Sequence, residues 1–220
     1  MKKFVLYIAA CSFINISVAQ SDRYLKTMEQ NIAALDTTRT VEGWRDLGNS
    51  FQRIADAEKI QWLPYYYAAL GHVMVGNLIG TANGAMGGFA DKTDPEADQA
   101  ELLLNKAEEL GKTNSEILCV RKMIATLRMM ADPMTRYQTQ MPLAAEALER
   151  AKGVNPENPR IYILEGQDKY FTPEQYGGSK TEAKTLFEEA MKKFESFKPE
   201  SSIHPNWGKG QVLYFLSLYK

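Results

Sequence analysis

AAEALERAKGVNP, residues 144–156, places Ala144, Leu148 and Ala151 on one side of a helix. Steps of four and three residues return to the same face of a helix. Small alanines allow a neighbouring helix to approach closely, and the leucine fills the space beside them. Pro156 cannot continue a helix, so the segment is predicted to end in a turn before it.

The same arrangement of alanine, large apolar residue and alanine occurs in two other segments. These are Ala100/Leu104/Ala107 and Ala183/Phe187/Ala190. Helical periodicity dominates the remainder of the chain, and strand signals are almost absent. We therefore predict an all-α protein of about nine helices, arranged as about four antiparallel helix hairpins. The predicted connections carry insertions at 76–95, 133–142 and 172–178.

These patterns resemble the tetratricopeptide repeat (TPR), a 34-residue helix hairpin. The alanine pattern followed by Pro156 is similar to its second helix, and Trp44, Leu47, Gly48 and Phe51 are similar to its first. The resemblance covers roughly residues 44–200 and implies an α-α superhelix. The C-terminal half also resembles exported TPR-like proteins of Bacteroidetes, through three short motifs. They are Asn158-Pro159-Arg160, Thr172-Pro173 and Gly177-Gly178.

The N-terminus has the pattern of an export signal. Lys2 and Lys3 precede an apolar run, and small residues stand before Gln20. We predict a signal peptide at 1–19, one helical domain at 20–220, and a protein of the periplasm or cell surface. The alternative is a lipoprotein anchored at Cys11.

Composition excludes some functions. The 26 basic and 27 acidic residues give a net charge of −1, without the basic surface that nucleic-acid binding needs. After export Cys119 is the only cysteine, so the fold depends on its core instead of a disulfide. Residues 61–90 contain no charged side chain, which permits a membrane span as an alternative. Because six glycines interrupt the segment, we predict a buried helix to about Ile79 and then a loop, with no span in the mature chain.

No residue pattern indicates catalysis. His72 and His204 lack metal-ligand spacing, and the pairs Glu108-Glu109 and Glu188-Glu189 fall on polar helix faces. We therefore predict a protein that is not an enzyme and has no cofactor and no metal site. A hydrolase whose acids are assembled only by the fold stays a less favoured alternative.

Architecture suggests binding, because stacked hairpins form extended surfaces that commonly bind other molecules. We predict a TPR-like scaffold that binds a protein or peptide of the cell envelope. The predicted groove residues are Trp62, Tyr66 and Arg160. The cluster from Trp62 to Tyr67 has an alternative interpretation as core, in which tyrosine hydroxyls reach the surface.

The segment Val212–Tyr219 is the last unusual feature. Seven of its eight residues are apolar or aromatic, whereas a terminal repeat normally has a polar outer face. We predict that it folds back into the superhelical groove. The alternative is burial against another chain, by self-association or as a structural subunit of an envelope assembly.

Overall fold

The computed structural model describes residues 22–82 and 87–219. Within them the chain forms nine α-helices, one short 3-10 helix and no strand, which confirms the predicted all-α class. The helices are α1 Asp22–Leu35, α2 Val41–Glu58, α3 Trp62–Ala82, α4 Ala90–Gly111, α5 Ser115–Ala131, α6 Pro133–Val154, α7 Pro159–Phe171, α8 Lys180–Ser196 and α9 Lys209–Ser217. The 3-10 helix, Glu174–Tyr176, lies between α7 and α8.

The helices pack as consecutive hairpins. α3 packs along α4, α5 along α6, and α7 along α8, while α1 contacts α2 and α9 contacts α8. The first helices α3, α5 and α7 also contact one another in order, so each hairpin stacks on the next. That these hairpins are tetratricopeptide repeats stays a prediction.

The residues of the repeated pattern lie at the hairpin contacts. All six alanines are buried, as are Leu104 and Phe187. At the third hairpin the helices approach so closely that a Cβ atom on Gly166 would lie 2.7 Å from the Phe187 ring. The sequence pattern therefore marks the surfaces through which paired helices touch.

Polar side chains define where several helices begin. The side chains of Thr40, Asn114, Asn158 and Ser179 each accept a hydrogen bond from a backbone N–H in the first turn. Such caps satisfy N–H groups that have no partner within the helix. They fix the starts of α2, α5, α7 and α8.

Two helices begin inside stretches that were predicted as insertions. α4 starts at Ala90, within 76–95, and α6 starts at Pro133, at the beginning of 133–142. Pro95 and Pro142 lie inside these helices. Each proline removes one backbone hydrogen bond, but the turns on either side of it stay helical. Much of the two predicted insertions, 76–95 and 133–142, is therefore helical.

The uncharged segment forms α3, which extends beyond the predicted end at Ile79. In the described part of the chain, no helix is long and apolar enough to cross a membrane. The predicted signal peptide at 1–19 and the alternative anchor Cys11 lie outside the described residues.

Candidate functional site

The predicted aromatic cluster of α3 is mostly core. Tyr66 and Tyr67 are 0% exposed, Tyr65 is buried, and only Trp62 is partly exposed. The rings of Trp62 and Tyr66 meet edge to face, with centroids 5.7 Å apart. The tyrosines are buried because α3 is apolar around most of its circumference and packs on α2, α4 and α5.

A segment without helical structure covers this cluster. Residues 197–208, here called the strap, connect α8 to α9 and cross from α7 to α3. The Trp207 indole N–H donates to the Tyr66 hydroxyl at 2.9 Å, and the Tyr67 hydroxyl donates to the Ile203 carbonyl at 3.0 Å. The strap therefore occupies the surface that was predicted to receive the last helix.

Arg160 of α7 holds the strap from the other side. Its buried guanidinium donates to both carboxylate oxygens of Glu116 at 2.7–2.9 Å. It also donates to the carbonyls of Pro205 and Trp207, each at 3.1 Å. The Phe197 ring lies 4.6 Å from the guanidinium. Five donor positions in a rigid fork allow one arginine to join α5, α7 and the strap.

Glu116 is the centre of this buried network. Besides Arg160, it accepts hydrogen bonds from Asn158 at 2.9 Å and from the Tyr66 hydroxyl at 3.3 Å. Burial alone would lower the pKa of Arg160, but the charge and hydrogen bonds of Glu116 hold it above its ordinary value. Burial, and then the Glu116 charge, raise the pKa of Tyr66 well above 10. The arginine therefore stays charged and the phenol stays neutral.

The three predicted groove residues are thus brought into one cluster, but they differ in access. Tyr66 and Arg160 offer no surface to a ligand, since their side chains are fully buried and hydrogen-bonded. Trp62 retains a partly exposed face beside His204, at a centroid distance of 5.9 Å. A binding role for these residues stays a prediction. Their structural role is to hold the strap.

Val212–Tyr219 does not enter the groove, because the strap already fills that surface. In α9, Val212 and Phe215 face α8 and are buried. The Phe215 ring stacks on Phe187 at a centroid distance of 4.6 Å. The segment therefore covers the third hairpin with one face of a short helix.

The opposite face of α9 is exposed and, apart from Ser217, mainly apolar. Tyr214 is 62% exposed and Phe171, at the end of α7, is 67% exposed. Both rings contact Phe215, at centroid distances of 5.6 and 5.9 Å. Together with the exposed Leu213 and Leu218, they form what we call the C-terminal aromatic surface. A contiguous apolar surface of this kind commonly marks a binding site.

Lysines stand at the rim of this surface. The Lys180 ammonium lies 3.2 Å from the centroid of the Tyr170 ring, which in turn contacts Phe171 and Phe215. Lys209 is exposed at the start of α9. Lys180 also donates a hydrogen bond to the Tyr170 carbonyl, so its exposed ammonium is already engaged within the chain, whereas Lys209 is exposed one turn before Leu213.

Two depressions lie elsewhere. One of about 660 Å³ lies over α2, α3 and α4, and it is lined mainly by acidic and amide side chains around Leu102. Its acidic residues are Asp56, Asp98, Glu101 and Glu109. The other, of about 190 Å³, lies between α4, α5 and α6. Its Arg128 is already paired with Asp98 and Glu101, at 2.7 and 2.8 Å.

One arrangement has the order of groups found in serine hydrolases. The His204 ring contacts the Ser201 hydroxyl at 2.7 Å through Nδ1 and the Glu200 carboxylate at 3.2 Å through Nε2. However, Glu200 is 85% exposed, and none of the three residues lines either depression. Among the described residues, no group of three or more histidine, cysteine or acidic side chains is arranged to hold a metal ion.

The fold is shared with a protein of known structure. This chain is similar to the HusA haemophore from Porphyromonas gingivalis, with 32% sequence identity and a TM-score of 0.76. The similarity covers 91% of this chain and 94% of that chain. No family model matches the chain, and no curated protein matches it.

Proposed function

This chain belongs to the same family as the HusA haemophore, and we propose that it is an exported, non-catalytic protein that binds haem or a closely related tetrapyrrole. The observation that carries the proposal is the similarity to a haemophore along almost the whole of both chains. The C-terminal aromatic surface is the place in the described structure whose chemistry best suits such a ligand.

A tetrapyrrole is a broad, flat and largely apolar molecule. The exposed rings of Phe171 and Tyr214 offer faces or edges to it, and Leu213 and Leu218 extend the apolar contact. Each aromatic contact contributes about 0.5–1.5 kcal/mol beyond simple burial. Apolar burial adds about 25 cal/mol for each Å² removed from water. Aromatic contact and apolar burial both favour binding of such a ligand, and neither requires a catalytic group.

Charge favours this surface over the larger depression. Haem carries two carboxylates at one edge, and the Lys180 and Lys209 ammonium groups stand at the rim of the C-terminal aromatic surface. The 660 Å³ depression is instead lined by four acidic side chains, of which Glu109 is paired with Lys106 at 2.9 Å and Asp98 and Glu101 share Arg128, so an excess of negative charge is left. Like charges in that depression would repel the carboxylates of the ligand.

The two histidines lie away from this surface. His72 contacts the Glu96 carboxylate at 2.6 Å, and His204 is engaged by Ser201 and Glu200 on the strap. We therefore propose that the ligand is held mainly by apolar and aromatic contact, with the lysines placing its carboxylates.

The test is a spectroscopic titration of the mature protein with haem. The variant Tyr214→Ala/Leu218→Ala removes two exposed side chains and is expected to bind haem about tenfold more weakly, a change of about 1.4 kcal/mol. The matched control Tyr137→Ala/Leu102→Ala removes an exposed tyrosine and an exposed leucine from α6 and α4. It is expected to bind like the wild type. If the wild type does not bind haem, the proposed function is rejected. If only the control variant loses haem affinity, the ligand binds instead at the 660 Å³ depression, which Leu102 lines.

A second candidate is the scaffold for a protein or peptide, including a subunit of an envelope assembly. The exposed apolar face of α9 supports it, because such faces also bind protein partners. Since Val212 and Phe215 are buried within the chain, self-association through Val212–Tyr219 would use its exposed apolar side chains Leu213, Tyr214 and Leu218. Cross-linked recovery of one envelope partner, lost in Tyr214→Ala/Leu218→Ala, together with no haem binding, would favour this candidate.

A further inference from the structure

The strap is held by side chains more than by its own backbone. In residues 197–208 the main-chain N–H of His204 donates to Ser201 in a single turn. The carbonyls of Ile203, Pro205 and Trp207 are instead bound by Tyr67 and Arg160. The stability of a segment of this kind against local opening depends on those few contacts.

α9 depends on the strap for its position. With nine residues it is shorter than the roughly 12–15 at which an isolated helix becomes marginally stable in water. It begins directly after Gly208, whose φ of +108° suits glycine. A Cβ atom on Gly208 would lie 2.5 Å from the Ile163 side chain, so this junction is fitted closely against α7.

We propose that the strap and α9, residues 197–219, open and close as one unit, with the Glu116–Arg160 pair as its latch. Opening would free Trp207 from Tyr66 and detach the start of α9 from α7. The C-terminal aromatic surface is then complete only while the strap is in place. The opening unit itself is independent of any ligand, and only its effect on haem release rests on the proposed function.

The first and third stacked hairpins are coupled through this unit. The strap contacts Tyr66 and Tyr67 of the first stacked hairpin, α3–α4, whereas α9 covers Phe187 of the third hairpin, α7–α8. A partner that displaced the strap at α3 would therefore disturb the ligand surface at α9. Coupling of this form requires an element with two arrangements that both sites can favour.

Hydrogen exchange read by mass spectrometry on the full mature chain tests the unit. Tyr67→Phe removes the hydroxyl that binds the Ile203 carbonyl at 3.0 Å, and Tyr162→Phe removes a similar bond to the Pro156 carbonyl at 2.9 Å outside the unit. Tyr67→Phe is expected to speed exchange in the strap and in α9 by the same factor, about two- to tenfold. Tyr162→Phe is expected to leave both segments unchanged.

Two outcomes would overturn the proposal. In the first, Tyr67→Phe speeds exchange in the strap while α9 stays as slow as in the wild type. In the second, exchange rises equally in α1 and α2, which would mean that the whole fold opens together. Tyr66→Phe, which removes the acceptor of the Trp207 N–H, provides an independent variant with the same expected pattern.

Hydrogen exchange in the presence of haem provides a separate test. At saturation haem is expected to slow exchange in both the strap and α9, because a ligand that needs the closed unit stabilises it. Protection of α9 without the strap contradicts the coupling and leaves the proposed function intact. Absence of any haem effect, with the variant pattern still present, rejects the function and leaves the unit intact.

Discussion

Two aromatic clusters of this molecule have similar compositions and opposite exposures. Around Tyr66, rings from α3 and the strap enclose a charged pair and are sealed from water. Around Phe215, rings from α7 and α9 leave Phe171 and Tyr214 open to solvent. The difference arises from a covering segment: the strap lies over the first cluster, and no described segment lies over the second.

The two regions also treat charge differently. Inside, Arg160 and Glu116 satisfy each other and four further polar groups, so the charges are fixed in place. Outside, Lys209 is exposed at the start of α9, and Lys180 is exposed but donates a hydrogen bond to the Tyr170 carbonyl. A buried charged network serves structure, whereas rim charges serve recognition.

The largest effect is expected from the buried pair. Arg160→Met leaves the buried Glu116 carboxylate without its charged partner and two strap carbonyls without their donor, and the free energy of unfolding is expected to fall by about 3–5 kcal/mol. Arg150→Ala is the control, because the Arg150–Glu146 pair is exposed with a separation of 3.7 Å, and it is expected to cost less than about 1 kcal/mol. Urea unfolding measures both. Equal losses would show that the network does not hold the strap.

The next largest loss of stability is expected at one of two phenylalanines that contact the same ring and not at the other. Phe187 is 0% exposed and stacks on Phe215, so Phe187→Ala is expected to lower the free energy of unfolding by about 3–4 kcal/mol. Phe171 contacts the same Phe215 ring but is 67% exposed, so Phe171→Ala is expected to cost less than about 1 kcal/mol. A large loss for Phe171→Ala in the same urea experiment would mean that the C-terminal aromatic surface is core.

A smaller effect is expected in alkaline solution. Burial and the Glu116 charge raise the folded-state pKa of Tyr66 well above its ordinary value of 10. The neutral phenol of Tyr66 therefore contributes to the free energy of unfolding in full below pH 10. This contribution is lost as pH rises towards the folded-state pKa, because the phenol ionises first in the unfolded chain. Tyr66→Phe is therefore expected to reduce the fall in stability above pH 10 by up to about 1.4 kcal/mol per pH unit.

The helical framework was predictable because its signals are local. Alanine patterns such as Ala144/Leu148/Ala151 and capping residues such as Asn114 each act within a few turns of one helix. The starts of α4 and α6 were wrong because Pro95 and Pro142 were taken as boundaries, although each removes only one hydrogen bond from a long helix.

The candidate site was less predictable because it depends on contacts distant in sequence. Tyr66 and Trp207 are 141 residues apart, and nothing near Tyr66 reveals which segment will cover it. Glu116 could be assigned only to a helix start, since its partner Arg160 lies 44 residues away. By contrast, the apolar run from Val212 did carry a signal, because a helix without a polar face leaves some apolar side chains exposed or covered by a partner.

The central claim is that haem binds at the C-terminal aromatic surface, and paramagnetic broadening by ferric haem in an NMR spectrum of the mature protein tests it most directly. We expect signals of Phe171, Leu213, Tyr214 and Leu218 to broaden first, with Tyr65 and Leu102 unaffected. Broadening centred on Tyr65 and Leu102 would place the ligand in the acidic depression and contradict this account.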